Sequence, residues 1–200
     1  MTNLPRIVSL LLLLALISCA SAPPVSQHYL LPSPARGNGN SAVTEGERPR
    51  VLVLQELRLA SYLDDVGIVL QLDDITLHPA QNHRWAEPLA QQLHRGLRQR
   101  LERQLPEATV LDGRGPADSL RLRIDVERFH GRYDGQAVAG GRWQLWAADG
   151  SLLRQEPFAA TVMLANDGYP ALVRALGAAW DQVATAVASA CREALSAEGS

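Results

Sequence analysis

The sequence predicts a mixed α/β domain of the α+β kind, in which a single, largely antiparallel sheet packs against two long helices. Residues 120–127 alternate strictly between apolar and polar side chains, as in a strand with one wet face. In residues 89–105 a leucine recurs every fourth position, and residues 169–196 sustain an apolar spacing of three to four. Each helix therefore carries one apolar stripe, and packing both stripes on a sheet is the simplest way to bury them.

Further strands are indicated on both sides of the first helix. Residues 51–59 are apolar and β-rich, and residues 67–72 and 75–78 form a hairpin that turns at Asp73-Asp74. After the helix we expect a short strand at 109–111. Residues 137–147 and 152–164 form two more strands, joined by a turn at Asp149-Gly150, because Asp-Gly is a strong hairpin signal.

The first helix has recognisable start and stop signals. Asn82 or His83 can cap it, Trp85 opens it, and Pro88 is tolerated in its first turn. Pro106 ends it. Its arginines are interpreted as a solvated face rather than as a site for lipid headgroups or nucleic acid; they are Arg95, Arg98, Arg100 and Arg103.

The N-terminus has the features of a lipoprotein signal peptide. Arg6 supplies a positive charge, and the apolar run at residues 7–17 is too short to span a bilayer. Residues 16–19 (Leu-Ile-Ser-Cys) resemble a lipobox, in which the Cys19 thiolate takes a diacylglyceryl group after cleavage behind a small residue. Residues 1–18 are thus predicted to be removed, and acylated Cys19 to anchor the chain. Residue 20 is alanine rather than aspartate, which resembles the signal for passage to the outer membrane, facing the periplasm.

Residues 19–49 form the predicted tether and residues 50–200 the folded domain. The tether is rich in Pro, Ser, Gly and Asn, and a coil over residues 20–49 would reach roughly 30 Å. Residues 28–31 (His-Tyr-Leu-Leu) interrupt it, and this short segment could add as a strand to the edge of the sheet.

Composition and motifs argue against several function classes. A net charge of −2 provides no field that would attract nucleic acid. There is no glycine-rich phosphate loop, no Gly-x-Ser-x-Gly elbow and no pair of cysteines with zinc spacing, and the five histidines form no metal motif. We therefore predict no enzyme activity, no cofactor and no metal. Cys191 lies on the apolar face of the second helix, so we expect it to be a core residue.

Polar and aromatic residues cluster where the first helix begins. Such a patch can present a contact surface for a partner protein, or it can lock the helix onto the sheet. The residues alone leave both alternatives open. The candidates are Tyr62, Leu63, Asp64, Asn82, Arg84, Trp85, Glu87 and Pro88.

These same segments resemble the ABC-type transport auxiliary lipoprotein family. The resemblance lies in Tyr-Leu at 62–63, Gly-Ile-Val at 67–69 and Asn-His-Arg-Trp-Ala-Glu-Pro-Leu at 82–89, and in Tyr29-Leu30 shortly after the predicted lipidated cysteine. A long helix that opens near a tyrosine completes the pattern. The Gly/Asn-rich stretch at 37–47 departs from it and bears on the reach of the tether.

The resemblance implies a role in lipid transport between membranes. Members are non-catalytic accessory subunits of ABC or MCE-type systems, anchored in the outer membrane and facing the periplasm. The expected partners are an MCE-domain membrane protein, ABC transporter components, or both, and the domain could dock as a homo-oligomer. The alternative is a periplasmic lipid-binding lipoprotein that itself carries an acyl ligand.

Overall fold

A nine-stranded mixed sheet forms the centre of the protein in the computed structural model, which describes residues 25–33 and 50–197. The predicted signal peptide, Cys19 and most of the tether lie outside the described residues. The strands are β1 Gln27–Tyr29, β2 Arg50–Leu54, β3 Arg58–Leu59, β4 Gly67–Gln71, β5 Leu77–Trp85, β6 Ala108–Asp112, β7 Leu120–Arg132, β8 Gln136–Trp146 and β9 Leu152–Met163. The helices are α1 Leu89–Gln104 and α2 Tyr169–Ala197, and Ser61–Leu63 form one 3₁₀ turn.

Strand β7 organises the sheet. Along one side it pairs antiparallel with β8, which pairs antiparallel with β9. Along its other side it meets β2, β3 and β4 in succession, all in parallel. Strand β6 flanks β2, and β5 and then β1 flank β4. The prediction of a mixed sheet with two helices is confirmed, while the strand predicted at 51–59 is divided into β2 and β3.

The two helices cover one face of the sheet. Helix α2 packs across β7, β8 and β9, and α1 packs against α2 and β6. Both predicted apolar stripes are buried, including Leu93, Leu97 and Cys191 at 0% exposure. The helices are joined by a hydrogen bond of 3.1 Å from the Trp180 indole N–H to the Leu93 carbonyl. Neither of the two described helices combines the length and the apolar character that a membrane-spanning helix requires.

The predicted start of the first helix is wrong. Strand β5 continues to Trp85, and α1 begins at Leu89 without a side-chain cap. Neither Asn82 nor His83 caps the helix, because both belong to β5. The physical reason is pairing on both sides: the Trp85 N–H donates to the Val66 carbonyl, and the next N–H, of Ala86, donates to the carbonyl of Tyr29.

Residues 27–33 pack onto the domain although the sequence places them in the tether. Strand β1 pairs in parallel with the end of β5 at the sheet edge, which confirms the edge strand predicted near Tyr29. The Leu31 N–H then donates to the Gln92 side chain at 2.8 Å. Only seven residues therefore separate Cys19 from the start of β1 at Gln27.

Arg100 does not lie on a solvated face, so that interpretation is wrong. Its residue exposure is 2%, and its Nε lies 2.5 Å from the Asp181 carboxylate of α2. Its remaining guanidinium nitrogens donate to the carbonyls of Gly96 and Pro32. A buried guanidinium needs such partners to offset its loss of hydration. Arg100 thus joins α1, α2 and the segment that follows β1.

Candidate contact surface at the junction of the sheet and the first helix

The backbone brings the two halves of the sequence motif together. The loop at 61–66 lies beside the end of β5, since Val66 accepts the Trp85 N–H at 2.8 Å. Gly67 pairs with Arg84, but the register then shifts, so that Val69 faces Pro79. A Cβ at Gly67 would lie 2.6 Å from the Ala80 carbonyl oxygen. Only glycine permits this close approach, which explains why the motif contains Gly67.

Two of the candidate residues are core residues. Leu63 is 1% exposed and Trp85 is 5% exposed, and both belong to the main apolar cluster. The Trp85 ring packs 6.4 Å from the ring of Phe129, which in turn contacts Trp180 of α2. The buried Trp85 ring therefore packs the junction of β5 and α1 against the core. Its burial favours the structural role for this residue over the contact role.

The remaining candidates at the junction reach the surface. Arg84, Pro88 and Asp64 are exposed, and Asn82 and Glu87 are partly exposed. The Glu87 carboxylate receives two hydrogen bonds from Arg95, of 2.9 and 2.6 Å, and this bonding holds the pKa of Glu87 below its usual value. We call Arg84, Glu87 and Pro88 the junction surface.

Tyr62 lies elsewhere, on the sheet face opposite the helices. Its hydroxyl donates to the Glu127 carbonyl at 2.9 Å, and burial raises the pKa of its phenol. Its ring meets His130 edge-on at 6.2 Å. Both residues line an open groove of about 560 Å³, whose walls mix Arg128 and Arg132 with apolar and acidic side chains. Tyr62 is thus separated from the junction surface.

An aromatic cluster that the sequence analysis missed connects three segments. The His83 ring stacks on Tyr169 of α2, with ring centres 3.8 Å apart, and its Nδ1 lies 2.9 Å from the Tyr29 hydroxyl. The cluster therefore ties β1, β5 and the start of α2 together. Tyr29 and Tyr169 were noted in the motif, but no local pattern indicates that a histidine lies between them.

Potential metal ligands do not cluster among the described residues, and the described cysteine is buried. Within 25–33 and 50–197, no group of three His, Cys, Asp or Glu side chains could hold a metal ion. Cys191 is fully buried, and desolvation raises the pKa of its thiol to about 12. It stays a protonated thiol at neutral pH and acts as a core residue, as predicted.

Comparison with known proteins identifies the family. The model of a family described as "ABC-type transport auxiliary lipoprotein component" matches residues 29–188. This chain belongs to that family. It is 33% identical over 173 residues to the intermembrane transport lipoprotein PqiC of Escherichia coli (strain K12), which covers 86% of this chain and 90% of PqiC. PqiC of Shigella flexneri matches to the same extent. The resemblance stated from the motif is confirmed.

Solved structures share the fold. One crystal structure of an uncharacterized protein is 31% identical, with a TM-score of 0.73 over 84% of this chain and 99% of that one. Protein XCC0632 from Xanthomonas campestris is 19% identical, with a TM-score of 0.62 over 82% of this chain and 91% of that one. The second likeness supports the fold alone.

Proposed function

We propose that this protein is a non-catalytic accessory subunit of an intermembrane lipid transport system, anchored in the outer membrane through acylated Cys19 and facing the periplasm. The observation that carries the proposal is the family match over residues 29–188, since the family is described as a transport auxiliary lipoprotein. The lipobox at residues 16–19 supplies the anchor. The relatives, which are named intermembrane transport lipoproteins, also support this role.

The partner in this proposal is an MCE-domain membrane protein, with or without ABC transporter components. The junction surface is an exposed part of the motif that can reach it, whereas Trp85 and Leu63 are buried. Arg84 carries a positive charge at the surface, and Glu87 is held in one geometry by Arg95. Glu87, which Arg95 holds beside Pro88, is suited to a specific contact, because its side chain loses little conformational freedom on binding.

Affinity purification of the full-length protein from its host tests the proposal. The membranes are crosslinked and solubilised in mild detergent, and the proteins recovered are identified by mass spectrometry. We expect an MCE-domain protein or an ABC permease in the eluate. The intact mass of the purified chain also tests Cys19, since it must show loss of residues 1–18 and the added acyl groups.

Matched variants locate the contact. Arg84→Glu reverses an exposed charge on the junction surface, whereas Arg114→Glu makes the same change in the exposed loop after β6. We expect Arg84→Glu to reduce recovery of the partner several-fold and Arg114→Glu to leave it unchanged. Equal recovery from both variants would refute the junction surface as the contact. An eluate that repeatedly contains no transporter would refute the accessory role.

The groove beside Tyr62 is a candidate site for the alternative, in which the domain itself carries an acyl chain. The groove beside Tyr62 has sufficient volume, but Arg128, Arg132 and Glu127 line it and it is open to solvent. Acyl ligands favour concave sites with predominantly apolar walls. Native mass spectrometry of the purified protein decides the matter, because a bound lipid other than the covalent anchor would favour this alternative.

A further inference from the structure

One edge of the sheet exposes large apolar side chains. Ile75 is 86% exposed, Met163 is 63% exposed and Tyr133 is 60% exposed. Leu72 and Leu77 beside them are 52% and 40% exposed. Contiguous exposed apolar groups are uncommon on a soluble monomer and mark a surface that meets a membrane or another protein.

The register of the strands places these residues at the same edge. Gln71 at the end of β4 faces Leu77 of β5 on one side and Arg132 of β7 on the other. The turn after Arg132 contains Tyr133, and it leads to Gln136, which faces Met163. The turns at 72–76 and 133–135 and the end of β9 therefore lie side by side. We call Leu72, Ile75, Leu77, Tyr133 and Met163 the apolar edge.

The turn at 72–76 holds its apolar residue outward. The Asp73 carboxylate accepts the N–H groups of Ile75 at 2.9 Å and Thr76 at 2.7 Å, which closes the turn. Arg132 pairs with Asp134 at 2.7 Å in the neighbouring turn. The charged residues of these two turns, Asp73, Asp74 and Asp134 against Arg132, sum to −2, so the turns themselves do not attract an anionic surface.

The N-terminal segment leads towards the same edge. Strand β1 runs parallel to the end of β5, and β5 runs antiparallel to β4, so β1 points away from the turn that joins β4 to β5. The chain consequently enters β1 from the side of that turn. The eight residue-to-residue steps from Cys19 to Gln27 span at most about 29 Å, whereas β4 from Gly67 to Gln71 spans only about 13 Å. The chain is long enough to place Cys19 level with the apolar edge.

We propose that the apolar edge rests in the headgroup region of a zwitterionic phospholipid bilayer, as a second membrane contact beside the lipid anchor. The inference rests on the proposed acylation of Cys19. The aliphatic side chains supply apolar area, and Tyr133 has the amphipathic ring that favours the membrane–water interface. The two contacts together fix which end of the sheet faces the membrane.

Fluorescence quenching in vesicles tests the orientation. Full-length, acylated protein is reconstituted in vesicles of the zwitterionic lipids phosphatidylethanolamine and phosphatidylcholine, with a nitroxide on the headgroup region of a fraction of the lipids. An environment-sensitive dye is attached at Tyr133→Cys or, as the control, at Ser151→Cys. Ser151 lies at the opposite end of the sheet, beside the exposed Leu152 and Leu153. Cys191 does not react, because it is buried and its thiol pKa is about 12.

We expect the dye at position 133 to be quenched at least three-fold more than the dye at 151. The paired change Leu72→Ser and Ile75→Ser should reduce the quenching at 133 towards the control value, which separates the apolar edge from the dye's own affinity for lipid. Replacing part of the phosphatidylcholine with anionic phosphatidylglycerol should not increase the quenching, and a marked increase would refute the zwitterionic contact. Comparable quenching at 133 and 151 would overturn the proposal.

Flotation of the vesicles distinguishes this inference from the proposed anchor. Protein that floats with the vesicles but shows no quenching at 133 retains the anchor and refutes the apolar edge. Protein that fails to float refutes the acyl anchor, and the inference falls with it. A spectral shift at 133 that grows with protein concentration and resists the nitroxide would show that a second copy covers the edge, which also refutes the membrane contact.

Discussion

Replacing Trp85 with alanine should destabilise the domain severely. Trp85 is 5% exposed and its ring packs against Phe129. Truncating a buried large aromatic side chain costs about 3–5 kcal/mol, which includes about 0.5–1.5 kcal/mol from a favourable aromatic pair. A domain of this size has a free energy of unfolding of about 5–15 kcal/mol, so the variant would lose a large part of it. Chemical denaturation followed by circular dichroism should show a lower midpoint with an unchanged slope.

A matched control isolates the effect of burial. Tyr133→Ala removes an aromatic side chain that is 60% exposed, and in the absence of membrane it should change the free energy of unfolding by at most about 0.5 kcal/mol. The free energy of unfolding of the Trp85→Phe variant should lie between those of the native protein and the alanine variant. Our reasoning would be refuted if Trp85→Ala unfolded at the native midpoint yet failed to recover the transporter, since Trp85 would then be a contact residue.

Three further predictions follow from single contacts. Gly67→Ala should destabilise the domain by about 1–3 kcal/mol in the same assay, because the new Cβ would meet the Ala80 carbonyl; a native midpoint would refute this. Arg100→Met should cost about 2–3 kcal/mol and speed hydrogen exchange at Leu31; unchanged exchange would show that the segment after β1 does not depend on Arg100. Burial lowers the pKa of His130, so the free energy of unfolding should fall as the pH drops below about 6.5, and His130→Gln should reduce that dependence.

The sign of the pH prediction follows from proton binding. With a pKa below 6.5 in the folded protein, His130 binds fewer protons in the folded state than in the unfolded state. Stability is therefore full above the unfolded pKa and is lost as the pH falls towards the folded one. The loss of stability begins at about pH 6.5, above the range in which carboxylates titrate, so Glu87 does not cause its onset.

Sequence reasoning succeeded where a single element carries its own pattern. The alternation at 120–127 predicts β7, and the leucines of 89–105 and the apolar spacing of 169–196 predict the buried faces of both helices, because strand and helix periods project directly onto one face. The turns at Asp73-Asp74 and Asp149-Gly150 were also correct, since each aspartate bonds to backbone N–H groups within its own turn.

It failed where distant segments decide the local conformation. Residues 82–85 have good helix-capping chemistry, yet they form a strand because β1 and the loop before β4 take their backbone hydrogen bonds. A cap contributes about 1 kcal/mol, which is less than the combined pairing of a strand on both sides. Arg100 was misinterpreted for the same reason. Nothing within α1 indicates that Asp181 and the Pro32 carbonyl lie opposite its guanidinium.

The packing of residues 27–33 on the domain connects its two proposed contacts, the junction surface and the membrane. Strand β1 pairs with β5 at Arg84, a residue of the junction surface, and at Trp85. The Tyr29 carbonyl also accepts the N–H of Ala86. The segment that leads to Cys19 is thus hydrogen-bonded to the backbone that presents Arg84 and Glu87. A short anchor fixed to a rigid strand limits how the domain can tilt, whereas a thirty-residue coil would leave every orientation accessible. If the junction surface binds a transporter, the anchor and the apolar edge would therefore hold it at a defined height and angle above the membrane.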